Sequence, residues 1–316
     1  VYEPGSTGKV MTISAAIEEK LVNPNSVFSV PYKVKRFDRE IKDHEFHKTQ
    51  RLTTTGILAV SSNTGTILIG ESLGATKLHY YLRKFGIGQS TNSGLPGESN
   101  GILAPVSQWS GTSLPTIAFG QGYSVTAMQA TQVFATIANN GVRVSPTVIA
   151  GTSDAQGRFT PAKRNQKGVR VISPETAKTM RLMMESVVTP NGTAPSAAIK
   201  GYRVAGKTGT TTDNASAWFN GYTPQMAASV SFYRDDATQS LNGIGGLTSV
   251  TGGSFPARIW ATFAASYLKN QPVADFPSPV NIGGTSPVDL RNSVPTLPLD
   301  SVLNTPTPTP SKSKKR

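Results

Sequence analysis

Tyr2-Glu3-Pro4-Gly5-Ser6-Thr7-Gly8-Lys9 sets how the rest of the chain is read. After it, Val10, Ile13, Ile17 and Leu21 recur at helical spacing, so a helix is expected over residues 6–21. On a helix, positions three apart are neighbours, which lets Lys9 reach Ser6. A serine hydroxyl is a poor nucleophile until a base takes its proton. An ammonium is no base, so Lys9 must be neutral at least transiently, through desolvation or a second nearby cation such as Lys207. A nucleophile at a helix start also gains a backbone N–H and a dipole that favour developing negative charge.

Two further motifs follow in order, Ser61-Ser62-Asn63 and Lys207-Thr208-Gly209. S-x-x-K occurs at Ser6, Ser266 and Ser311, and S-x-N at Ser61, Ser90 and Ser240, so neither is specific alone. K-T-G occurs once, where average composition would give roughly 0.1 per chain of this size. Context selects the set: Ser6 opens a helix, Ser61 closes the apolar segment 57–60, and Lys207 follows a strand expected over 202–205. On an edge strand, Lys207, Thr208, Gly209 and Thr210 would offer a cation, two hydroxyls and an open backbone. Gly209 is expected to let an extended substrate approach closely, and a peptide could add to this strand.

Outward from these motifs, helices are expected over 64–73 with Gly74 as its stop, over 76–85, over 126–138, and from Ser173-Pro174-Glu175 to about Val187. Residues 217–222 and 226–233 flank Thr223-Pro224-Gln225 as a hairpin, and 259–268 reads as a closing helix. The resulting fold class is α+β: an antiparallel sheet with flanking helices plus an all-helical lobe. Residues 1–270 read as one folded domain. Residues 271–316, rich in Pro, Ser and Thr and ending Ser311-Lys312-Ser313-Lys314-Lys315-Arg316, read as a basic, disordered tail.

The 316 residues suffice for a core without disulfides, and the absence of cysteine excludes a thiol nucleophile or a Cys-ligated metal. No apolar run is long enough to span a membrane. The net charge of +13 favours polyanions, whether nucleic acid, anionic lipid or wall polymer, without choosing among them. His44 and His47 are three apart, but no third ligand is evident, so no metal is expected. Gly120-Gln121-Gly122 lacks the phosphate-loop pattern, and no cofactor is expected.

The three motifs together match the set shared by penicillin-binding proteins and serine β-lactamases. The chain resembles the transpeptidase domain of class B penicillin-binding proteins, the septal cell-division type. The resemblance rests on the stretch 2–9, Val60-Ser61-Ser62-Asn63-Thr64-Gly65, Leu95-Pro96-Gly97-Glu98, Gly120-Gln121-Gly122 with Ser124-Val125-Thr126, and Gly201-Tyr202-Arg203-Val204-Ala205-Gly206-Lys207-Thr208-Gly209. It implies a D,D-transpeptidase that cross-links peptidoglycan stem peptides through an acyl-enzyme on Ser6. Lys9 would be the general base, Ser61 a proton relay and Asn63 a hydrogen-bond partner of the substrate amide. Lys207, Thr208 and Thr210 would bind the donor carboxylate, and the N–H groups of Ser6 and Thr210 would form the oxyanion hole. β-Lactams would acylate Ser6. The implied setting is the extracytoplasmic face of the bacterial membrane, with divisome membrane proteins as partners, the basic tail against anionic wall polymer or membrane, and no nucleic acid.

The chain departs from that pattern in three respects. Position 8 is glycine where the family usually carries a larger residue such as Phe. The stretches 211–225 and 251–260 are closer to bifunctional class A proteins. Strands that in such domains precede the nucleophile and complete the sheet are not expected in a chain whose Ser6 follows Val1 so closely. Two rivals share the motifs: a D,D-carboxypeptidase or serine β-lactamase on the same scaffold, and a non-catalytic β-lactam-binding or scaffold module. The absence of a convincing dedicated deacylating base favours transfer over hydrolysis.

Overall fold

The computed structural model describes residues 1–162, 168–236 and 239–276. The chain begins with a 3-10 turn, Gly5–Gly8, that runs into α1 (Lys9–Glu18). Four short strands follow: β1 (Val27–Val30), β2 (Lys33–Arg36), β3 (Arg39–Lys42) and β4 (Gln50–Thr53). Then come α2 (Thr54–Ala59), α3 (Asn63–Leu73), α4 (Ala75–Phe85), α5 (Ser113–Ala118) and α6 (Ala127–Ala138). The strands β5 (Val142–Arg143), β6 (Gly151–Ser153), β7 (Phe159–Pro161) and β8 (Val169–Arg170) precede α7 (Pro174–Glu185). The principal strands β9 (Ala205–Thr210), β10 (Ser216–Tyr222) and β11 (Ala227–Tyr233), and the helix α8 (Phe255–Leu268), complete the order.

The expected helices form where their caps lie. Gly74 ends α3 at φ 79, and Thr126 with Gln129 makes a reciprocal capping box at α6. The Ser173 hydroxyl accepts from the Thr176 N–H, with Pro174 in the first turn of α7. The fold is α+β as the pattern predicts, but the helical lobe is not purely helical. An antiparallel β1–β4 ribbon and a β2–β3 hairpin accompany it, and β5–β8 and β6–β7 form two more small ribbons. The strand expected over 202–205 lies instead at Ala205–Thr210, so Lys207, Thr208 and Gly209 are within the strand rather than after it.

The sheet is antiparallel in the order β11-β10-β9. Its central strand β10 is buried along its whole length, because both faces are covered. Trp218 and Tyr222 point one way, and the Tyr222 ring lies 6.5 Å from Phe134 of α6. Phe219 points the other way, 5.3 Å from Trp260 of α8. Opposite β10, the register pairs Lys207 with Asn220, Thr208 with Phe219 and Gly209 with Trp218. Period two therefore sends Lys207 and Gly209 to one face and Thr208 and Thr210 to the other.

One apolar core runs through helical lobe and sheet. At its centre, α1 is buried from Lys9 to Ala16 and packs on α3, α4 and α7. Fully burying one of its aliphatic side chains contributes about 1.5–3 kcal/mol, so Val10 and Ile13 anchor the helix that carries Lys9. Among the described residues, no helix is long and apolar enough to cross a membrane. Residues 277–316 of the expected tail lie outside the described residues.

Candidate active site

Ser6 sits in the 3-10 turn ahead of α1, and that turn is held from two sides. On one side, Tyr2 exchanges backbone hydrogen bonds with Val125 (3.0 and 2.9 Å), and Glu3 accepts from the Gly122 N–H at 2.8 Å. On the other side the turn packs on β9. Thr7 closes it locally, its hydroxyl donating to the Pro4 carbonyl at 2.8 Å. The packing leaves no room for side chains: a Cβ on Gly120 would fall 1.7 Å from the Gly5 carbonyl oxygen. A Cβ on Gly8 would fall 2.2 Å from the Tyr123 hydroxyl. This accounts for glycine at position 8: the buried Tyr123 ring takes the space a larger side chain would need.

Ser61 follows α2 in the left-handed conformation (φ 61), and Ser62 caps α3, accepting from the Gly65 N–H at 2.9 Å. The turn brings Ser61 and Asn63 to Lys9. The Lys9 Nζ donates to the Ser61 carbonyl at 2.5 Å, the Asn63 Oδ1 at 2.7 Å and the Ser61 hydroxyl at 3.2 Å. From the sheet, the Lys207 Nζ donates to the same Ser61 hydroxyl at 2.8 Å and to the Thr208 carbonyl at 3.2 Å. One hydroxyl thus joins residues 52 and 146 positions apart from it. The expected Lys9–Ser6 pair is not made as a hydrogen bond: Lys9 turns to Ser61 and Asn63, and no bond to the Ser6 hydroxyl forms among the described residues.

Both amines are fully buried. Burial pushes Lys9 down to about 7, opposed by the negative charge of Asp43. Burial also pushes Lys207 well below its ordinary value, and the charge on Lys9 adds to this. Near neutral pH, Lys9 is therefore poised to give up the proton that an exposed lysine keeps.

Thr208 and Thr210 alternate with Lys207 along β9, and the Lys207 Nζ still reaches the Thr208 hydroxyl at 3.5 Å. Thr208 shares a hydrogen bond with the Thr193 hydroxyl at 2.7 Å, and the Thr210 hydroxyl accepts from the Gly252 N–H at 3.2 Å. The close approach at Gly209 is made by the chain itself: a Cβ there would meet the Pro4 carbonyl oxygen at 2.6 Å and Thr7 Cγ2 at 2.9 Å. Its small size seats the Ser6 turn on β9, a role that the substrate-approach reading did not anticipate.

Residues 1–239 match the penicillin binding protein transpeptidase domain family. The chain belongs to that family. This transpeptidase domain is 46% identical over 215 residues to penicillin-binding protein PbpB of Mycolicibacterium smegmatis, covering 66% of this chain and 33% of the relative. It is 37% identical over 211 residues to peptidoglycan D,D-transpeptidase FtsI of Escherichia coli, with the same coverage of each. The chain spans about a third of the length of these curated relatives. In structure, the domain is similar to penicillin binding protein 3 from Mycobacterium tuberculosis complexed with ampicillin, at TM-score 0.75 and 33% identity, covering 88% of this chain and 64% of that one. The aztreonam complex of the same protein gives TM-score 0.74 at 33% identity, covering 86% and 64%.

The transpeptidase domain holds two residues at this site that the sequence reading did not single out, Asp43 and Tyr123. Asp43 accepts from the backbone N–H groups of Asn63 and Thr64 at 2.5 and 2.9 Å, twenty positions along the chain. Its one signal was its place beside His44 and His47. Tyr123 adjoins the Gly120-Gln121-Gly122 stretch, whose value lay in bracing Ser6.

Proposed function

We propose that this chain is the peptidoglycan D,D-transpeptidase unit of a septal penicillin-binding protein. The observation that carries the reading is the Ser61 hydroxyl held between the Lys9 and Lys207 amines, which unites the three motifs beside Ser6. In the proposed reaction, neutral Lys9 takes the Ser6 proton as Ser6 Oγ attacks the carbonyl carbon of a terminal D-Ala–D-Ala bond. The N–H groups of Ser6 and Thr210 stabilise the oxyanion. Their proximity is supported by Gly5, whose Cβ would lie 3.2 Å from the Thr210 carbonyl oxygen. The C–N bond breaks, and the proton passes through Ser61 to the departing D-Ala amine, leaving an ester on Ser6. An amine of a neighbouring stem peptide then attacks the ester, loses its proton back through the lysines, and releases Ser6. Asn63 would hold the substrate amide, and Lys207, Thr208 and Thr210 the donor carboxylate.

A β-lactam presents the same acyl carbon, but its amine stays tethered, so the ester persists. Hydrolysis by a carboxypeptidase or β-lactamase needs a base that activates water. Asp43, the acidic group bonded to the S-x-N turn, faces N–H groups and His47 rather than Ser6. This favours transfer. The setting proposed is the extracytoplasmic face of the membrane, with divisome membrane proteins as neighbours and the basic tail against anionic polymer or lipid.

The test is a timed intact-mass measurement with benzylpenicillin on the chain and on Ser6→Ala. The expected result is a lasting adduct on the wild-type chain that the variant does not form. Rapid drug turnover without adduct would establish a β-lactamase instead, and no reaction would leave the binding or scaffold reading.

A further inference from the structure

Asp43 lies between β3 and β4 and is buried. Donors surround its carboxylate. Besides the Asn63 and Thr64 N–H groups, the Ser62 hydroxyl donates to it at 2.7 Å, the Thr64 hydroxyl approaches at 3.3 Å, and the His47 Nε2 lies at 3.0 Å. A carboxylate in this place satisfies the free N–H groups at the start of α3 and complements its dipole. It also fixes the turn from below while Lys9 holds the Ser61 carbonyl from above. Ser61 keeps its left-handed backbone between these two holds.

His47 stands behind Asp43. Its Nδ1 faces the Lys48 carbonyl at 2.8 Å and its Nε2 faces Asp43, so both ring nitrogens meet acceptors. A neutral imidazole carries one N–H and can donate to one of them; the doubly protonated ring donates to both. The ring packs edge-on against Tyr32, centroids 5.8 Å apart. This accounts for His47 without a metal.

We propose that Asp43 and His47 are a positioning pair that holds the Ser61–Asn63 turn against Lys9 and so sets the rate at which Ser6 is acylated. The proposal rests on Ser6 being the nucleophile. The charged group acting on Lys9 is Asp43, from the loop before β4; Lys207, from β9, feels the Lys9 charge and meets it at the Ser61 hydroxyl. His47 is the titratable group on Asp43. Because Asp43 favours the charged form of Lys9, removing its charge makes Lys9 easier to deprotonate.

The experiment measures the rate constant for acylation by benzylpenicillin, followed by intact mass across neutral pH, for the full chain and for Asp43→Asn, His47→Ala and His47→Gln. Asp43→Asn is expected to slow acylation by about tenfold or more at neutral pH. The rising limb of its pH profile is expected to move to lower pH. His47→Ala is expected to slow the reaction several-fold, and His47→Gln, whose amide N–H can still reach Asp43, to recover most of that loss. A slowed Asp43→Asn variant with an unmoved limb would overturn the electrostatic half of the proposal. Equal rates for wild type, His47→Ala and His47→Gln, or equally slow alanine and glutamine variants, would overturn the pair, and these decide even where Asp43→Asn does not fold. A wild-type chain that forms no adduct fails the transpeptidase reading itself, which separates that failure from this one.

Discussion

The two turns that meet at Lys9 are held by opposite means. The Gly5–Gly8 turn is fixed by fit: Gly120, Gly8 and Gly209 let the Gly5 carbonyl, the Tyr123 ring and Pro4 approach to distances at which any Cβ would collide. The turn at Ser61 is fixed by polarity: Lys9, Lys207 and Asp43 bond it from three directions, and its one strained residue is not a glycine. For Ser6 as the proposed nucleophile, close packing supplies an immovable position, because interiors yield little to added volume. For Ser61 as the proposed proton relay, hydrogen bonds supply partners that exchange protons. Added volume should therefore damage the first turn, and lost charge or lost donors the second.

Gly120→Ala tests the fitted turn most severely, since its Cβ would fall 1.7 Å from the Gly5 oxygen at a φ of 102. It should lower the acylation rate by about 100-fold or more, because a shift of about 1 Å at a nucleophile has that effect. Labelling with a fluorescent penicillin, beside a circular dichroism spectrum, would check this; near-normal labelling would show that the turn can relax. On the polar side, acylation should rise with pH through about 7 as Lys9 loses its proton. Below that value the rate should fall about tenfold per pH unit, and a flat profile would remove Lys9 as the base.

Gly8→Ala should slow acylation less than Gly120→Ala, because part of its collision is with the Tyr123 hydroxyl. Adding Tyr123→Phe should recover a measurable share, the Gly120 Cα at 2.9 Å accounting for the rest. A double-mutant cycle with no coupling would show that the tyrosine does not fill the place of residue 8. The smallest effect belongs to the strained serine: Ser61→Gly should melt higher than Ser61→Ala by the equivalent of about 1 kcal/mol, from relief of the left-handed backbone. Both variants should acylate slowly, since both lack the shared hydroxyl.

Much of this contrast was legible beforehand, and what was not follows from how each turn is held. Helices α1, α3, α6 and α7 announce themselves through spacing and caps, and the Thr223–Gln225 hairpin through its turn residues. β9 does not, because Ala205–Thr210 is buried among two glycines and a lysine and shows no alternation. The ribbons over 27–53 are four residues long and largely charged or polar at β2 and β3, too short for a period to register. The motif serines and lysines were visible as residue types, but their contacts were not: Lys9 was expected on Ser6 and is found on Ser61. Asp43 and Tyr123 act only across chain separations of twenty residues and more than a hundred, which no local pattern encodes.

On the proposed acylation of Ser6, the division of labour bears on escape from β-lactams. Around Ser6 added volume at the fitted glycines comes at the expense of the turn's position, so selection under drug should find few tolerated changes there. The hydrogen-bonded side offers graded change, since each donor or acceptor around Asp43, His47 and Ser62 can be weakened singly without displacing Ser6. Resistant variants of this domain should accordingly collect between residues 32 and 64 and spare Gly5, Gly8, Gly120 and Gly209, a distribution that sequencing of drug-selected clones would reveal.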